Sequence, residues 1–447
     1  MRRSVLGVPP LSSLASLTPF KHAPFARFWF ARLFSMLGMQ VHATAMGWQV
    51  YDLARAEGRS IAESAFLLGL IGLTQFMPLL MLSLIGGQAA DRFNRKLIVL
   101  TSYVGKAALA AALIGAASLS SSAAISTIFV VATFSGAINA FLPAASTSLT
   151  PLLVPREDLP RAIAAISLAF QFGAIAGPSL GGLLYGLGPQ TAYGAAAALI
   201  LMGAVMLLFV ETPKHVPVAG ARTLAMIREG LIYVRENKIV LGAISLDLAV
   251  VLLAGATALM PVFARDILDV GPEGVGILRS SVAVGAAIVA VRLAIRPIDR
   301  FVGPWMFGAV GVFGVATILF GLSNWLWLSA FALALTGAAD MISVYVRQSL
   351  VQLATPDSMR GRVSAVSFIF ISASNELGEF ESGLVARLIG PVAAVAVGGV
   401  GAIGIAALWA RLFPQLWQAD RFADATPPAV PAPVAASSGA GGGNPVQ

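Results

Sequence analysis

The chain has 447 residues, of which 57% are hydrophobic and 11% are charged, and its net charge is +8. Soluble domains usually carry about 25% charged residues, so this composition excludes a soluble globular protein and leaves apolar surface that must face lipid. The absence of cysteine excludes disulfides and thiol chemistry, and three histidines disfavour a metal or haem site.

Residues 1–24 contain no apolar core followed by a cleavage site, so we expect a cytoplasmic N-terminal segment and not a signal peptide. Beyond it, hydrophobic runs of about 20 residues are each long enough to span a bilayer. They predict an all-α polytopic membrane protein with twelve transmembrane helices. These helices are predicted near 28–50, 64–87, 97–118, 123–147, 162–186, 190–210, 239–263, 275–295, 304–322, 325–351, 364–388 and 391–412.

A charged loop that begins with glycine separates the second and third of these runs. Glycine permits close approach of two helix ends, and an aspartate near lipid needs charged partners, which the basic residues of the loop supply. The loop resembles the signature between the second and third helices of the major facilitator superfamily, G-x-x-x-D-R-x-G-R-R/K, with Asn94 at the usual glycine. An ordinary basic loop that only sets orientation is the alternative. The matching residues are Gly87, Asp91, Arg92, Arg95 and Lys96.

The predicted fifth helix carries a stripe of small residues with a proline. Glycines at every fourth position lie on one face and permit tight helix contact, and the proline can bend the helix. The stripe resembles G-x-x-x-G-P-x-x-G-G, a pattern of exporters in this superfamily, whereas generic helix packing is the alternative. Its residues are Gly173, Gly177, Pro178, Gly181 and Gly182.

An internal repeat indicates two related halves. A shift of 201 residues aligns glycines within helices and also a proline and an arginine in a polar loop, which apolar composition alone does not readily produce. The resemblance implies two six-helix halves in parallel repeat, at 25–210 and 239–413. Between them, 211–238 is predicted to form a cytoplasmic amphipathic linker, and 414–447 is predicted to be a disordered tail. The aligned pairs include Gly136 with Gly337, Pro155 with Pro356 and Arg161 with Arg362.

Carboxylates in the second half are candidates for proton coupling. A carboxylate inside a membrane is costly and is expected to face a cavity or a partner, and a structural ion pair is the alternative for each one. Glu379 is the leading candidate, and the repeat aligns it with Pro178. Asp340, which the repeat aligns with Asn139, comes next, followed by Asp247 and Glu376.

Other polar residues are candidates for the lining of a cavity. Asn375 shares a helical face with Glu379, and Gln171 lies between two phenylalanines on the fifth helix. Asn139 is the neutral counterpart of an acidic residue in the second half. Arg32 is a possible counter-charge, although it is more simply explained as a side chain that reaches from the helix end towards water.

The second half sharpens the resemblance. Asp247 within Ile-Ser-Leu-Asp-Leu, the run Gly361–Val366 and the run Ser374–Gly383 resemble the bacterial branch of the superfamily that includes the enterobactin exporter. Membership implies proton-driven efflux of siderophores or other small amphipathic compounds by alternating access. An uptake carrier for a small nutrient is one alternative, and a membrane scaffold or enzyme is another. No Ser-His-Asp set, metal cluster or phosphate loop in the sequence supports an enzyme.

The distribution of basic residues predicts the orientation. They concentrate in the segments that share a side with both termini, which places both termini in the cytoplasm. The resemblance to a bacterial branch implies the inner membrane of a bacterial cell. We expect a monomer in contact with lipid, a small-molecule substrate, protons as the coupling ion, no cofactor and no nucleic-acid partner. The opposite side holds little more than Arg55, Arg59, Arg265 and Arg387.

Overall fold

The structure is a computed structural model that describes residues 18–213 and 223–422, and all regular elements in these ranges are helical. The twelve predicted helices are present. In chain order, α1 to α12 are Ala23–Ala56, Ile61–Arg92, Arg95–Ala116, Ser121–Leu149, Leu159–Gly186, Pro189–Leu208, Lys238–Leu253, Pro272–Ile295, Val302–Leu322, Leu326–Leu353, Asp357–Ile389 and Pro391–Leu412. A linker helix, Thr223–Glu236, connects the first six to the last six.

The helix starts follow from local side chains. Ser60 and Glu63 form a reciprocal capping box at the start of α2. Asn94 accepts hydrogen bonds from the backbone N–H groups of Lys96 and Leu97, at 3.0 and 3.4 Å, and so caps α3. Asn94 is the position where the superfamily signature has glycine, and its capping role accounts for that departure.

In the described ranges, ten helices are long and apolar enough to span a membrane, counting α7 together with its continuation to Ile267. The two long helices that fall short are α1 and α11. Their polar residues include Gln40 and Gln49 on α1 and Glu376 and Glu379 on α11, and such residues belong in the interior of a membrane bundle.

The helices form two six-helix halves. In the first half, α1 packs against α5 and α6, and α4 packs against α2 and α3. In the second half, α10 packs against α8 and α9, and α12 packs against α9. The repeat is visible in the packing: a side chain at Gly136 of α4 would overlap Gln75 of α2, and one at Gly337 of α10 would overlap Val282 of α8. The halves meet mainly through α2 with α11 and α5 with α8.

The two ends of the bundle are distinguished by the chain termini. We call the end where α1 begins and α12 finishes the terminal face, and the opposite end, which holds the α1–α2 and α7–α8 connections, the far face. Asp158, which precedes α5, bonds to His22 at 3.2 Å, and Lys96 reaches the carbonyl of Val210, so these segments share the terminal face.

The seventh predicted helix, near 239–263, is present but interrupted. Helix α7 ends at Leu253, and the chain passes through a short turn at Ala256–Leu259 before helical structure resumes from Met260 to Ile267. Proline at 261 cannot donate a backbone hydrogen bond to the preceding turn. Gly255 also lies against the backbone of Gly378 of α11, closer than a side chain allows.

The prediction of disorder across 414–447 is wrong for its first residues. Pro414–Trp417 forms a short helix in which Leu416 is fully buried. The carbonyl of Asp420 then accepts a hydrogen bond from the N–H of Val302, which ties this segment to the start of α9. The apolar run that ends at Trp417 is ordered because it buries Leu416 against the bundle. The rest of that tail, the first seventeen residues of the N-terminal segment and 214–222 of the linker lie outside the described residues.

Candidate functional site

The candidate site is a cavity of about 510 Å³ between the two halves. Helices α1, α2 and α5 line it from the first half, and α8, α10, α11 and the broken part of α7 line it from the second. The break in α7 contributes Thr257 and Pro261 to the wall, so the irregular backbone lies where it faces the cavity and not lipid.

Most of the lining is apolar, with a few polar groups at separate points. Phe170 and Met341 are the large apolar side chains with exposed surface in this lining, and Met46 and Met260 lie behind it as buried side chains. Such a mixture is typical of sites that bind small organic molecules and fix their orientation through a few contacts. The polar and charged lining residues are Gln40, Gln75, Gln171, Thr257, Arg279, Asp340, Glu376 and Glu379.

Two of the lining carboxylates face a cation. Glu379 of α11 and Arg279 of α8 lie close enough for their charges to interact. Glu376, one turn earlier on α11, interacts with Lys106 of α3, which is buried and donates a hydrogen bond to the hydroxyl of Ser135. The two glutamates also lie near each other. These four groups therefore balance in charge.

Asp340 differs from the two glutamates. It is exposed to the cavity, and its nearest charges are Asp247 of α7 and Arg347 of α10. Arg347 already forms an ion pair of 3.2 Å with Asp247, and their side chains are 6% and 8% exposed. Among the described residues, Asp340 has no ion pair of its own. Three carboxylates and Arg279 thus line the cavity. When the buried Lys106 is counted with Arg279, two cations face three carboxylates, so one negative charge is in excess.

The remaining predicted polar residues divide into those at the cavity and those away from it. Gln171 lines the cavity and donates a hydrogen bond of 3.1 Å to the carbonyl of Ala283, which links the halves. Arg32 donates a hydrogen bond to the hydroxyl of Ser146. Asn375 is exposed and Asn139 is half-buried, and neither lines the cavity. The prediction that Asn375 shares the cavity with Glu379 is therefore wrong, because Glu376 occupies that position.

The glycine stripe of α5 packs as predicted. A Cβ at Gly173 would lie 2.5 Å from Met36 of α1, and one at Gly177 would overlap Gln40. Gly181 follows the same face of α5 against Val41 and Thr44. Gly182 instead faces the carbonyl of Pro272 in α8, and Pro178 lines the cavity. The motif therefore holds α5 against both α1 and the second half.

The far face is closed by charged contacts between the halves. Tyr51 donates a hydrogen bond of 2.5 Å to Asp266, and Arg55 forms an ion pair of 3.1 Å with the same carboxylate. Arg265 forms a second ion pair, with Asp52. These contacts join the end of α1 to the continuation of α7. We call Tyr51, Asp52, Arg55, Arg265 and Asp266 the far-face cluster.

The charged loop lies at the terminal face, and its basic residues do not pair with Asp91. Arg95 donates to the carbonyl of Ala90 at 3.1 Å, and Lys96 donates to the carbonyls of Leu208 and Val210 at the end of α6. Cations are favourable at a helix C-terminus. Arg92 is exposed, and a side chain at Gly87 would meet open space. Among the described side chains, Asp91 forms no ion pair.

Sequence reasoning missed the cations that matter most in this arrangement. Arg279 lies within predicted helix 275–295 and Arg347 within predicted helix 325–351, so each was a charged residue inside an apolar run. That signal was sufficient to single them out as partners for intramembrane carboxylates. The far-face cluster was visible only as basic residues near helix ends. Among the described residues, no group of three or more potential ligands could hold a metal ion.

Comparisons with known proteins give a consistent result. A sequence model of the family described as "Transmembrane secretion effector" matches residues 14–440. The enterobactin exporter EntS of Citrobacter koseri is 25% identical over 422 residues, which cover 92% of this chain and 95% of that protein. EntS of Escherichia coli APEC is 26% identical over 416 residues, which cover 92% of this chain and 96% of that protein. The nucleoside transporter NupG has a similar fold, with a TM-score of 0.68 at 11% identity, covering 87% of this chain and 100% of NupG.

Proposed function

Because the chain belongs to the transmembrane secretion effector family of the major facilitator superfamily, a group of membrane transporters, we propose that it is a secondary active exporter of small amphipathic molecules. The observation that carries the proposal is the cavity between the halves, which both halves line and which the far-face cluster closes at one end. A cavity of this kind can open to either side in turn when the halves rock about it.

The lining supports a siderophore-like or drug-like substrate. Apolar walls from Phe170 and the methionines suit the aromatic or aliphatic part of a molecule, and the glutamines and Arg279 suit its hydroxyl, carbonyl or anionic groups. The relatives that are similar over most of the chain are enterobactin exporters, which supports a substrate of this class. Methionine-rich surfaces adapt their shape, so we expect broad selectivity and modest affinity.

The glycine-proline motif of α5 and the relatives support export. The basic residues near the terminal face favour a cytoplasmic location for that face. The terminal face would then take substrate from the cytoplasm, and the far face would release it outside the inner membrane. The far face is closed by ion pairs between the halves. Among the described side chains of the terminal face, no ion pair joins the halves. Both observations fit a state that loads from the cytoplasm.

For energy coupling we propose Asp340 as the proton site, ahead of Glu379. Glu379 and Glu376 each have a cation nearby, Arg279 and Lys106, whereas among the described residues Asp340 has none of its own because Arg347 is already engaged by Asp247. An unpaired carboxylate in a partly dry cavity is the group that gains most from binding a proton. When the cavity opens to the more acidic outer side, Asp340 would take up a proton, and it would release that proton to the cytoplasm after the cavity turns inward.

The test is transport by purified protein in proteoliposomes with an imposed pH gradient, with labelled enterobactin as the probe. We expect accumulation on the far side when that side is acidic, and loss of accumulation when an ionophore collapses the gradient. Empty liposomes give the background. Accumulation in the opposite direction would make the protein an uptake carrier, and no flux of enterobactin or of an amphipathic dye would contradict the exporter.

A further inference from the structure

A second cavity, outside the central site, forms a groove on the outer surface of the second half. It has a volume of about 550 Å³ and is walled by α8, α9 and α10. Every residue that lines it is apolar, and the lining includes Phe301 just before α9, Trp305 and Val312 of α9, and Ile342 of α10. Trp305 and Phe301 are exposed. The groove therefore presents a concave apolar surface at the level of the lipid.

The groove lies in the half of the bundle next to the terminal face. It follows the first three turns of α9, which begins at that face with Val302. Trp305 stands near the helix start, as is usual for tryptophan at the boundary between lipid and water. A ligand in the groove would thus have its apolar part among α9 and α10 and its other end at the membrane surface.

Arginines lie at the surface end of the groove. Val289 of α8 lines the groove, and Arg292 follows it by three residues, which places Arg292 on a neighbouring position of the same helix face. Arg296 comes directly after the last residue of α8, at the terminal face. Both are exposed. Within the described ranges, the hydrogen bond of the Arg292 side chain goes to the carbonyl of Arg296, which leaves further donors of both guanidinium groups for a ligand. Arg300 lies beside Phe301, although Asp420 engages it at 3.5 Å.

From this placement we propose that the groove between α9 and α10 binds a phospholipid with an anionic headgroup, drawn from the leaflet at the terminal face. One acyl chain lies along the apolar groove, and Arg292 and Arg296 hold the phosphate. Arginine is suited to this role because its planar guanidinium bonds two phosphate oxygens at once. Clusters of basic residues beside helices at a membrane surface bind anionic lipids in this way.

Two glycines of α9 provide a matched pair of variants. A Cβ at Gly308 would meet open space, and Gly308 lines the groove. A Cβ at Gly311, one turn further along, also meets open space, but Gly311 does not line the groove. Gly308→Leu therefore fills the groove without a clash with the protein, and Gly311→Leu adds the same side chain elsewhere on the same helix.

The experiment reconstitutes the protein in equal amounts of phosphatidylglycerol and phosphatidylcholine, extracts it in mild detergent and counts retained lipids by native mass spectrometry. We expect phosphatidylglycerol to be retained in preference by the wild type and by Gly311→Leu, and both lipids to be lost from Gly308→Leu. Arg292→Gln and Arg296→Gln should each reduce the preference about fivefold while leaving phosphatidylcholine in place.

Equal retention of phosphatidylglycerol in all four variants and the wild type would overturn the proposal. So would a dimer in the wild type that Gly308→Leu dissociates, because the groove would then hold a second copy of the chain. Thermal stability of each variant, measured alongside, separates loss of the lipid from loss of the fold, and a misfolded Gly308→Leu leaves the two arginine variants to decide.

Discussion

The far face and the terminal face are built from similar residues but are held together differently. At the far face, Asp52 and Asp266 of different halves pair with Arg265 and Arg55 of the opposite half. At the terminal face, the described ion pairs stay within one half or its adjoining segments, as in His22 with Asp158 or Arg362 with Glu229 of the linker helix. The contacts that must break for the cavity to change sides are therefore concentrated at the far face.

Close backbone contacts reinforce this difference. Gly69 of α2 lies against Gly383 of α11, and Gly182 of α5 lies against Pro272 of α8, both in the part of the bundle nearer the far face. Arg387 also lies over the ring of Phe66, 4.7 Å from its centre, which adds a cation–π contact between the halves. Separation of the halves at this end must break charged and apolar contacts together.

The largest expected increase in opening of the far face comes from Asp266→Asn. This change removes the charge that Arg55 pairs with and weakens the hydrogen bond of Tyr51, in a region where Asp266 is 14% exposed. The loss of one partner from such a site costs about 2 kcal/mol, which corresponds to roughly thirtyfold more opening of the far face. Because the chain has no cysteine, Ala258→Cys in the cavity can report opening through its labelling by an impermeant thiol reagent.

Glu57→Gln is the matched control for that experiment. Glu57 pairs with Arg59 at 3.0 Å on the same face, but both belong to the α1–α2 connection of one half. Its removal should leave labelling of the cysteine at 258 unchanged. Equal labelling in Asp266→Asn and Glu57→Gln would mean that the far-face cluster does not hold the halves together.

Gly182→Ala is expected to increase opening of the far face by about tenfold, which is less than the effect of Asp266→Asn. The added methyl group would overlap the carbonyl of Pro272, so α5 and α8 must separate slightly at the far face. Gly194→Ala on α6, where a Cβ meets open space, is the control and should be neutral or slightly stabilising because alanine favours helix. The same labelling assay measures both, and equal behaviour of the two variants would mean that the α5–α8 contact does not limit opening.

Asp91→Asn should reduce opening of the far face, by about fivefold. Asp91 has no ion pair among the described side chains in this state, so we expect its charge to matter when the terminal face closes, near the positive start of α11. Its neutralisation should then lower far-face labelling and slow transport while protein still reaches the membrane. Asp299→Asn, in the corresponding loop of the second half, is the control. Wild-type labelling and flux in Asp91→Asn would reduce the loop to an orientation signal.

The smallest effect concerns the terminal face at low pH. The hydrogen bond from His22, together with Thr18 and Arg161, lowers the pKa of the Asp158 carboxyl. A carboxyl whose pKa is lowered by folding stabilises the structure above its ordinary pKa of about 3.9, and that contribution is lost as pH falls further. The protection factors of residues 18–26, which are exchange rates corrected for the intrinsic pH dependence of amide exchange, should therefore be constant near neutral pH and fall at the acid end, less so in Asp158→Asn. An identical pH dependence in both proteins would contradict this.

The sequence predicted the parts of the fold that depend on local pattern. Twelve apolar runs matched twelve helices, and the fourfold glycine spacing of α5 predicted a tight helix contact on that face without naming α1 as the partner, because both signals repeat with the helix itself. The break in α7 was missed although Pro261 is a local signal for it, and its second cause, the close approach of Gly378 to Gly255, lies more than a hundred residues away. The order of Pro414–Trp417 depends likewise on burial against the start of α9.

The sequence predicted which kinds of residue line the candidate site. It predicted less well which charged residues lie next to each other there. Helical spacing placed Asn375 and Glu379 on one face, but Glu376 and Glu379 also share a face, and only the positions of α3 and α8 decide which one meets the cavity. The carboxylates were identified because charge is rare in such helices. The sequence offered Arg32 as a counter-charge, but Arg279 is the cation beside Glu379 and Arg347 pairs with Asp247, because helix packing and not the chain order decides which charges meet.

The central claim is that Asp340 is the carboxylate that couples transport to protons. The direct measurement compares Asp340→Asn with Glu379→Gln in proteoliposomes, with enterobactin accumulation driven by a pH gradient and enterobactin exchange without one. We expect Asp340→Asn to lose accumulation and keep exchange, because binding and alternation remain while the proton site is gone. Glu379→Gln should keep some accumulation. Full pH-driven accumulation in Asp340→Asn would contradict the account.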